Sequence, residues 1–208
     1  MTVLKRLNAV HSIIDECRQC PNMCSSPVHG PAVDTAVMLV GQAPGAHEST
    51  YGKPFAYTAG KTLFKWMEKG TGIDEESFRE NVYIAAVARC FPGKSGRGDR
   101  EPNAEEIARC REHLKKEVQI LKPDLIIAVG RVAITEVLGV DTFPKSRTLS
   151  EVVGKKIKAH FLGQDVDVIC LPHPSGVSSW PHTEEGKKKL TAALRILKNH
   201  PAWQNQLT

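Results

Sequence analysis

The 208-residue chain contains no run of 18 consecutive apolar residues, so no membrane-spanning helix is expected. The segment Met1–Cys20 has charges scattered through it and lacks an apolar stretch, so it does not read as a secretory signal. The chain is therefore expected in the cytoplasm, where thiols stay reduced. No charge of one sign dominates: 28 Lys and Arg face 23 Asp and Glu, a formal balance of +5. That mild excess permits a polyanionic partner without requiring one. There is no internal repeat and no linker-like stretch, so a single domain over residues 1–208 is expected. With 41 % hydrophobic and 25 % charged residues, wholesale disorder is excluded.

What is present is an alternation of apolar strands and amphipathic helices. Helical spacing runs through residues 3–20, with Leu4, Leu7, Val10, Ile13 and Ile14 in phase. Strands are expected at 35–40, 81–87 and 124–129, with two neighbouring strands or a hairpin at 156–161 and 165–171. Helices are expected at 60–70, 103–121, 131–138 and 183–199. Asn103 and Glu106 stand in capping-box positions, and Pro123 stops that helix. The order points to an α/β fold with a mainly parallel sheet. Ligands of such sheets bind beyond the carboxyl ends of the strands, so segments 41–58, 89–102 and 172–182 should converge. Gly60-Lys61-Thr62 opens a helix as a phosphate-binding loop does. That pattern needs a glycine five residues earlier, where Phe55 stands, which excludes a nucleoside triphosphatase.

Six cysteines in a reducing compartment call for a metal or cluster before a disulfide. Cys17 and Cys20 form a C-x2-C pair, which bends the chain so that both sulfurs meet one centre. Cys90 follows a strand and Cys110 lies on the next helix; spacing alone leaves them equally readable as ligands or as small core residues. Cys24 competes for the fourth position. Cys170 ends an apolar strand and reads as core.

Taken together, several segments resemble the uracil-DNA glycosylase superfamily in its iron–sulfur branches, families four and five. They are Gly41-Gln42-Ala43-Pro44-Gly45-Ala46-His47-Glu48, Gly52-Lys53-Pro54-Phe55, Ala59-Gly60, Val82-Tyr83-Ile84, Arg89-Cys90, Glu101 to Ile107 with Cys110, and His173-Pro174-Ser175. Each is short; their order and spacing across residues 10–198 carry the likeness. The resemblance implies a three-layer α/β/α sandwich around a short, mainly parallel sheet. It implies a monomer acting on DNA that contains a damaged base. It also implies a structural [4Fe–4S] cluster on Cys17, Cys20, Cys90 and Cys110, tying in the N-terminal helix and leaving Cys24 aside.

Such enzymes flip a nucleotide out of the duplex and cleave its N-glycosidic bond. The departing base gains negative charge, which needs a donor aimed at a base oxygen; His173 matches that residue. Glu48 matches the carboxylate that positions water or stabilises the sugar cation, with Gln42 beside it in the catalytic loop and His47 as the neighbouring alternative. Gly41, Ala43 and Gly45 allow backbone approach to the base, Phe55 matches the stacking aromatic, and Ser175 completes the base site. Ala86 stands where many relatives carry an Asn that reads uracil, and Tyr57 where they carry a small glycine. The expected substrates therefore include hypoxanthine and xanthine as well as uracil, and a damage-binding protein without turnover is the alternative. Lys94, Arg97 and Arg100 are expected to meet phosphate. Val177 or Trp180 is expected to fill the space of the flipped base, Trp180 equally to pack beneath its loop. No His lies between 91 and 112, which speaks against covalent trapping of DNA.

Overall fold

The computed structural model describes residues 1–96 and 98–207. Thr2 caps the first helix, α1 (Val3–Asp15), by accepting from the Lys5 N–H, and Leu7, Val10 and Ile14 form its buried stripe. The helix ends at Asp15 rather than at 20, because the Cys17 N–H turns back onto the Ile14 carbonyl at 3.0 Å. That turn directs the C-x2-C pair inward.

After a long loop come β1 (Val37–Gly41), the one-turn α2 (Glu48–Tyr51), α3 (Thr58–Thr71) and α4 (Glu75–Asn81). Next are β2 (Tyr83–Ala86), the short strands β3 (Lys94–Ser95) and β4 (Gly98–Asp99), and α5 (Ala104–Leu121). The chain continues through β5 (Leu125–Val129), α6 (Arg131–Leu138), β6 (Lys156–Phe161) and β7 (Gln164–Leu171). It closes with α7 (Glu184–Lys198) and α8 (Pro201–Leu207).

Among the described residues, five strands form the main sheet in the order β2-β1-β5-β7-β6. The first four run parallel, and β6 lies antiparallel on β7. Every residue of β1 and β5 is buried, as strands covered on both faces require. This is the α/β sandwich with a mainly parallel sheet that the sequence predicts. The edge strand β6 instead alternates, with Lys156, Lys158 and His160 outward, which discourages pairing with another chain. The expected capping box forms: Asn103 Oδ1 accepts from Glu106 N–H at 2.9 Å, and Glu106 accepts from Asn103 N–H at 2.8 Å.

Three elements escape the periodicity. Helix α4 buries only Phe78, and α8 only Ala202 and Trp203, so neither spans enough turns to show an apolar stripe. The hairpin β3–β4 lies in a Gly- and charge-rich stretch that reads as loop.

Candidate active site and cysteine centre

β1 pairs with β2 on one side and β5 on the other, and the chain leaves these strands in opposite directions. This is a topological switch point, where loops separate and leave a crevice. A cavity of about 510 Å³ opens there, lined by the ends of β1, β2, β5 and β7 and by the β3–β4 hairpin.

The loop after β1 is held by extended pairing past the end of β2. Val87 N–H donates to the Gly41 carbonyl at 2.9 Å and Ala88 N–H to that of Gln42 at 3.0 Å. Gly41, Gln42, Ala43 and Gly45 all border the cavity, as do Ala86 and Ser175. Phe55 forms part of the wall in a left-handed backbone conformation, φ 54°, with its ring against Gly41. Two contacts hold it there. Arg79 donates to the carbonyls of Pro54 and Phe55, both at 3.0 Å, while its guanidinium lies over Phe64. Gly60, in the first turn of α3, lies against the Phe55 carbonyl; a β-carbon on it would stand 1.7 Å from that oxygen. Gly60→Ala therefore displaces Phe55 or the helix start. It should destabilise the protein by about 1–3 kcal/mol in thermal unfolding, with Lys61→Ala within about 0.5 kcal/mol of the unaltered chain.

His173 follows β7. Its Nδ1 accepts from the Ser175 N–H at 3.2 Å and lies 2.9 Å from Ser175 Oγ. A nitrogen that accepts a backbone N–H carries no proton, so the neutral ring holds its proton on Nε2. Burial lowers the His173 pKa and favours that neutral ring, with the negative charge of Asp99 opposing. Space for the ring comes from Gly130 at the end of β5, where φ is 85° and a side chain would meet the imidazole at 3.0 Å.

Glu48 opens α2 and is 7 % exposed. Burial pushes its carboxyl up to about 7, against the opposing pull of backbone N–H groups at Phe55 and Gly45 and of the Arg79 charge. Burial outweighs the hydrogen bonds because they satisfy the carboxylate only in part.

Other expected site residues lie elsewhere. His47 and Tyr57 are absent from the cavity wall; their rings meet in a tilted contact with centroids 4.4 Å apart, beside Tyr51. Trp180 packs against the core and its indole N–H donates to Ser150 Oγ at 3.3 Å, so Val177, 78 % exposed, alone stands at the loop tip. Arg100 does border the cavity, but its guanidinium is occupied within the protein. It forms a two-pronged pair with Glu106 at 2.8 and 2.9 Å and donates to the Pro92 carbonyl at 3.0 Å, tying down the hairpin base. Lys94 is exposed at the cavity rim with its ammonium 3.7 Å from Asp99 Oδ1, and Arg97 lies outside the described residues. The sequence reading missed Arg79, Asp99 and Arg131. Arg131 borders the cavity with one buried terminal nitrogen unpartnered among the described residues.

A second cavity, of about 260 Å³, is bordered by Cys17, Cys20, Cys90 and Cys110. Cys24 is exposed beside Gly93 and does not border it, and Cys170 is fully buried in β7. Burial pushes the Cys90 thiol up to about 12, and the other three sulfurs add to the shift. Four thiols that oppose one another's ionisation suit a cationic centre that compensates them. Arg89 Nε and His113 Nδ1 are buried without partners among the described residues and belong to side chains on the same wall. Among the described residues, no group of three or more His, Cys, Asp or Glu is arranged to hold a metal ion. Behind the cavity, Arg89 pairs with the fully buried Glu117, which accepts from the Tyr83 hydroxyl at 2.8 Å. His11 of α1 lies 2.8 Å from the same hydroxyl. Since that hydroxyl donates to Glu117, the imidazole donates to it.

Fold and site together define an open-sheet α/β protein with an aromatic-walled, histidine-bearing pocket at the switch point. Residues 27–198 match the family model of the uracil DNA glycosylase superfamily, and the chain belongs to that family. It is 30 % identical to a type-4 uracil-DNA glycosylase of Archaeoglobus fulgidus, over 88 % of each chain. It is 32 % identical to a type-4 enzyme of Pyrobaculum aerophilum, over 84 % of this chain and 86 % of the relative. A type-5 uracil-DNA glycosylase of the latter organism is 29 % identical over about half of each chain. Among the described residues, no helix is long and apolar enough to cross a membrane.

Proposed function

We propose that the protein is a monofunctional DNA glycosylase that flips out a deaminated base and hydrolyses its N-glycosidic bond, starting base excision repair. Uracil is the first substrate, with hypoxanthine and xanthine admitted because Ala86 offers no side-chain hydrogen bond to read the base edge. The observation that carries the reading is His173 in the cavity wall, its proton fixed on Nε2 by Ser175. A neutral donor there stabilises the anion of the leaving base. The base stacks on Phe55 while the backbone of the 41–45 loop and Gln42 approach it. Val177 enters the duplex in its place. Lys94 meets the phosphate backbone.

Cys17, Cys20, Cys90 and Cys110 would hold a [4Fe–4S] cluster, whose part is structural. The cavity volume, the four converging thiols and the unpartnered donors of Arg89 and His113 support a multinuclear group over a single zinc ion. In that position it ties α1 and the 17–31 loop to α5 and to the segment leading into the pocket hairpin.

The test offers the full chain, purified anaerobically, a panel of oligonucleotides carrying uracil, hypoxanthine or xanthine in single and double strands. Strand scission after alkali is expected; tight, damage-selective binding without turnover would establish the non-catalytic alternative instead. The pH profile checks Glu48. Its ionised form positions water, so single-turnover excision should rise between about pH 6 and 8, with a midpoint near the carboxyl's value of about 7. Glu48→Gln should flatten that rise and lower the plateau by about a hundredfold. Stability should move oppositely. A carboxyl whose folded value is raised costs nothing below the ordinary carboxylate range, and its cost grows until pH passes about 7. Glu48→Gln should thus stabilise the protein at alkaline pH, by on the order of 3 kcal/mol, and leave it unchanged in acid.

A further inference from the structure

Three carboxylate residues line the cavity, Glu48, Asp99 and Glu101, and of these Asp99 alone lies outside the sequence motifs. Asp99 ends the β3–β4 hairpin, where it pairs in register with Lys94, whose ammonium stands 3.7 Å from Asp99 Oδ1 in an exposed ion pair, and it lines the same cavity as Glu48 and His173. Its Oδ2 reaches over the 41–45 loop, to 3.3 Å from where a Gly45 β-carbon would stand. Its side chain is 42 % exposed, which puts it at the cavity mouth, whereas Glu48 is deeper. The hairpin is fixed in that position by its base. Arg100 N–H donates to the Gly93 carbonyl at 2.8 Å, and the Arg100 side chain is clamped by Glu106.

Position and charge assign the role. In a flipped nucleotide the base enters the pocket first, and the sugar, joined to the phosphate backbone, stays at the mouth. Breaking the C1′–N bond leaves the electron pair on the base and positive character on the sugar. A carboxylate that faces the anomeric carbon lowers the energy of the sugar cation. Ala43 has no charge to offer there.

Resting on the glycosylase reading above, we propose that Asp99 is a catalytic carboxylate of this protein. It is brought to the pocket by the hairpin and faces the deoxyribose, where it stabilises the cation that forms as the base departs. Water positioned by the ionised Glu48 then adds to C1′ and gives its proton to the Glu48 carboxylate, while the base keeps the bonding electron pair and departs as the anion. The Asp99 charge adds to the upward shift that burial gives Glu48 and opposes the downward shift that burial gives His173. Facing Glu48 are Arg79 of α4, which opposes that effect, and the backbone N–H groups of Gly45 and Phe55.

The experiment compares the full chain with Asp99→Asn and Asp99→Glu on a uracil-containing single strand, under single-turnover conditions across pH. Binding is measured separately with a strand carrying 2′-fluoro-deoxyuridine, whose glycosidic bond resists cleavage. Asp99→Asn should lower the plateau rate by about a hundredfold with affinity equal or tighter, and Asp99→Glu should recover part of the rate. Removing the charge should also move the Glu48 midpoint to lower pH, which a merely structural part in the hairpin would not do. Equal plateau rates for Asp99→Asn and an active unaltered chain, or a loss confined to affinity, would overturn the role of Asp99 alone. An unaltered chain that excises no base from any strand would overturn the glycosylase reading, and this role with it.

Discussion

His173→Ala should lower the single-turnover excision rate by about a hundred- to a thousandfold, the cost of removing one well-placed donor to a developing anion. The effect belongs in the chemical step, because the ground-state base carries little of the charge that the imidazole stabilises. Affinity for the uncleavable strand should therefore change little. Ser175→Ala removes the hydroxyl beside Nδ1 but keeps the backbone N–H that Nδ1 accepts at 3.2 Å, so it should lose far less rate than His173→Ala. Acid should not switch His173 off near its ordinary value, because burial lowers its pKa and the ring stays neutral. A His173→Ala variant with undiminished excision would remove the foundation of the proposed function.

Loss of the cysteine centre should have the largest effect on the fold. Cys110→Ala should abolish the visible absorption of anaerobically purified protein. It should also open the 17–31 loop to proteolysis, since α1 and that loop would lose their link to α5. The other two cysteines separate this effect from ordinary packing. Cys24→Ala should keep the colour and the stability, because Cys24 is exposed and lies off the cavity. Cys170→Ala should keep the colour while costing about 1–2 kcal/mol, as for deletion of a small buried group. Arg89 makes the centre costly to disturb from the other side. Its pairing with Glu117 is fully buried, and removing either partner leaves an uncompensated charge worth about 3–5 kcal/mol.

Helix α6, Arg131–Leu138, occurs with the boundaries that its periodicity predicts, and α5 begins at the capping box legible as Asn103 and Glu106. Long elements with a full apolar stripe or a capping residue announce themselves locally. Helix α4 does not, because seven residues with one buried side chain carry no period, yet its Arg79 holds Phe55 in the pocket wall. Tyr57 and Phe55 stand two residues apart and face differently, which the left-handed backbone at Phe55 decides. No neighbouring residue type encodes that turn; it depends on Arg79 and on the close approach of Gly60.

By itself, the sequence determined the α/β class, the cysteine pair, and the segments from which a site could form, because each depends on residue type and short-range spacing. Only the tertiary structure decided which side chains meet. Strand order opens the crevice between β1 and β5, and three distant segments then bring Glu48 and Phe55, Ala86, and His173 to one cavity. The same packing turned Trp180 and Arg100 to structural use and placed Asp99 at the mouth. The +5 balance that composition offered as a mild leaning toward polyanions acquires its meaning there: what matters to a reacting sugar is the local carboxylates, and long-range folding sets their positions.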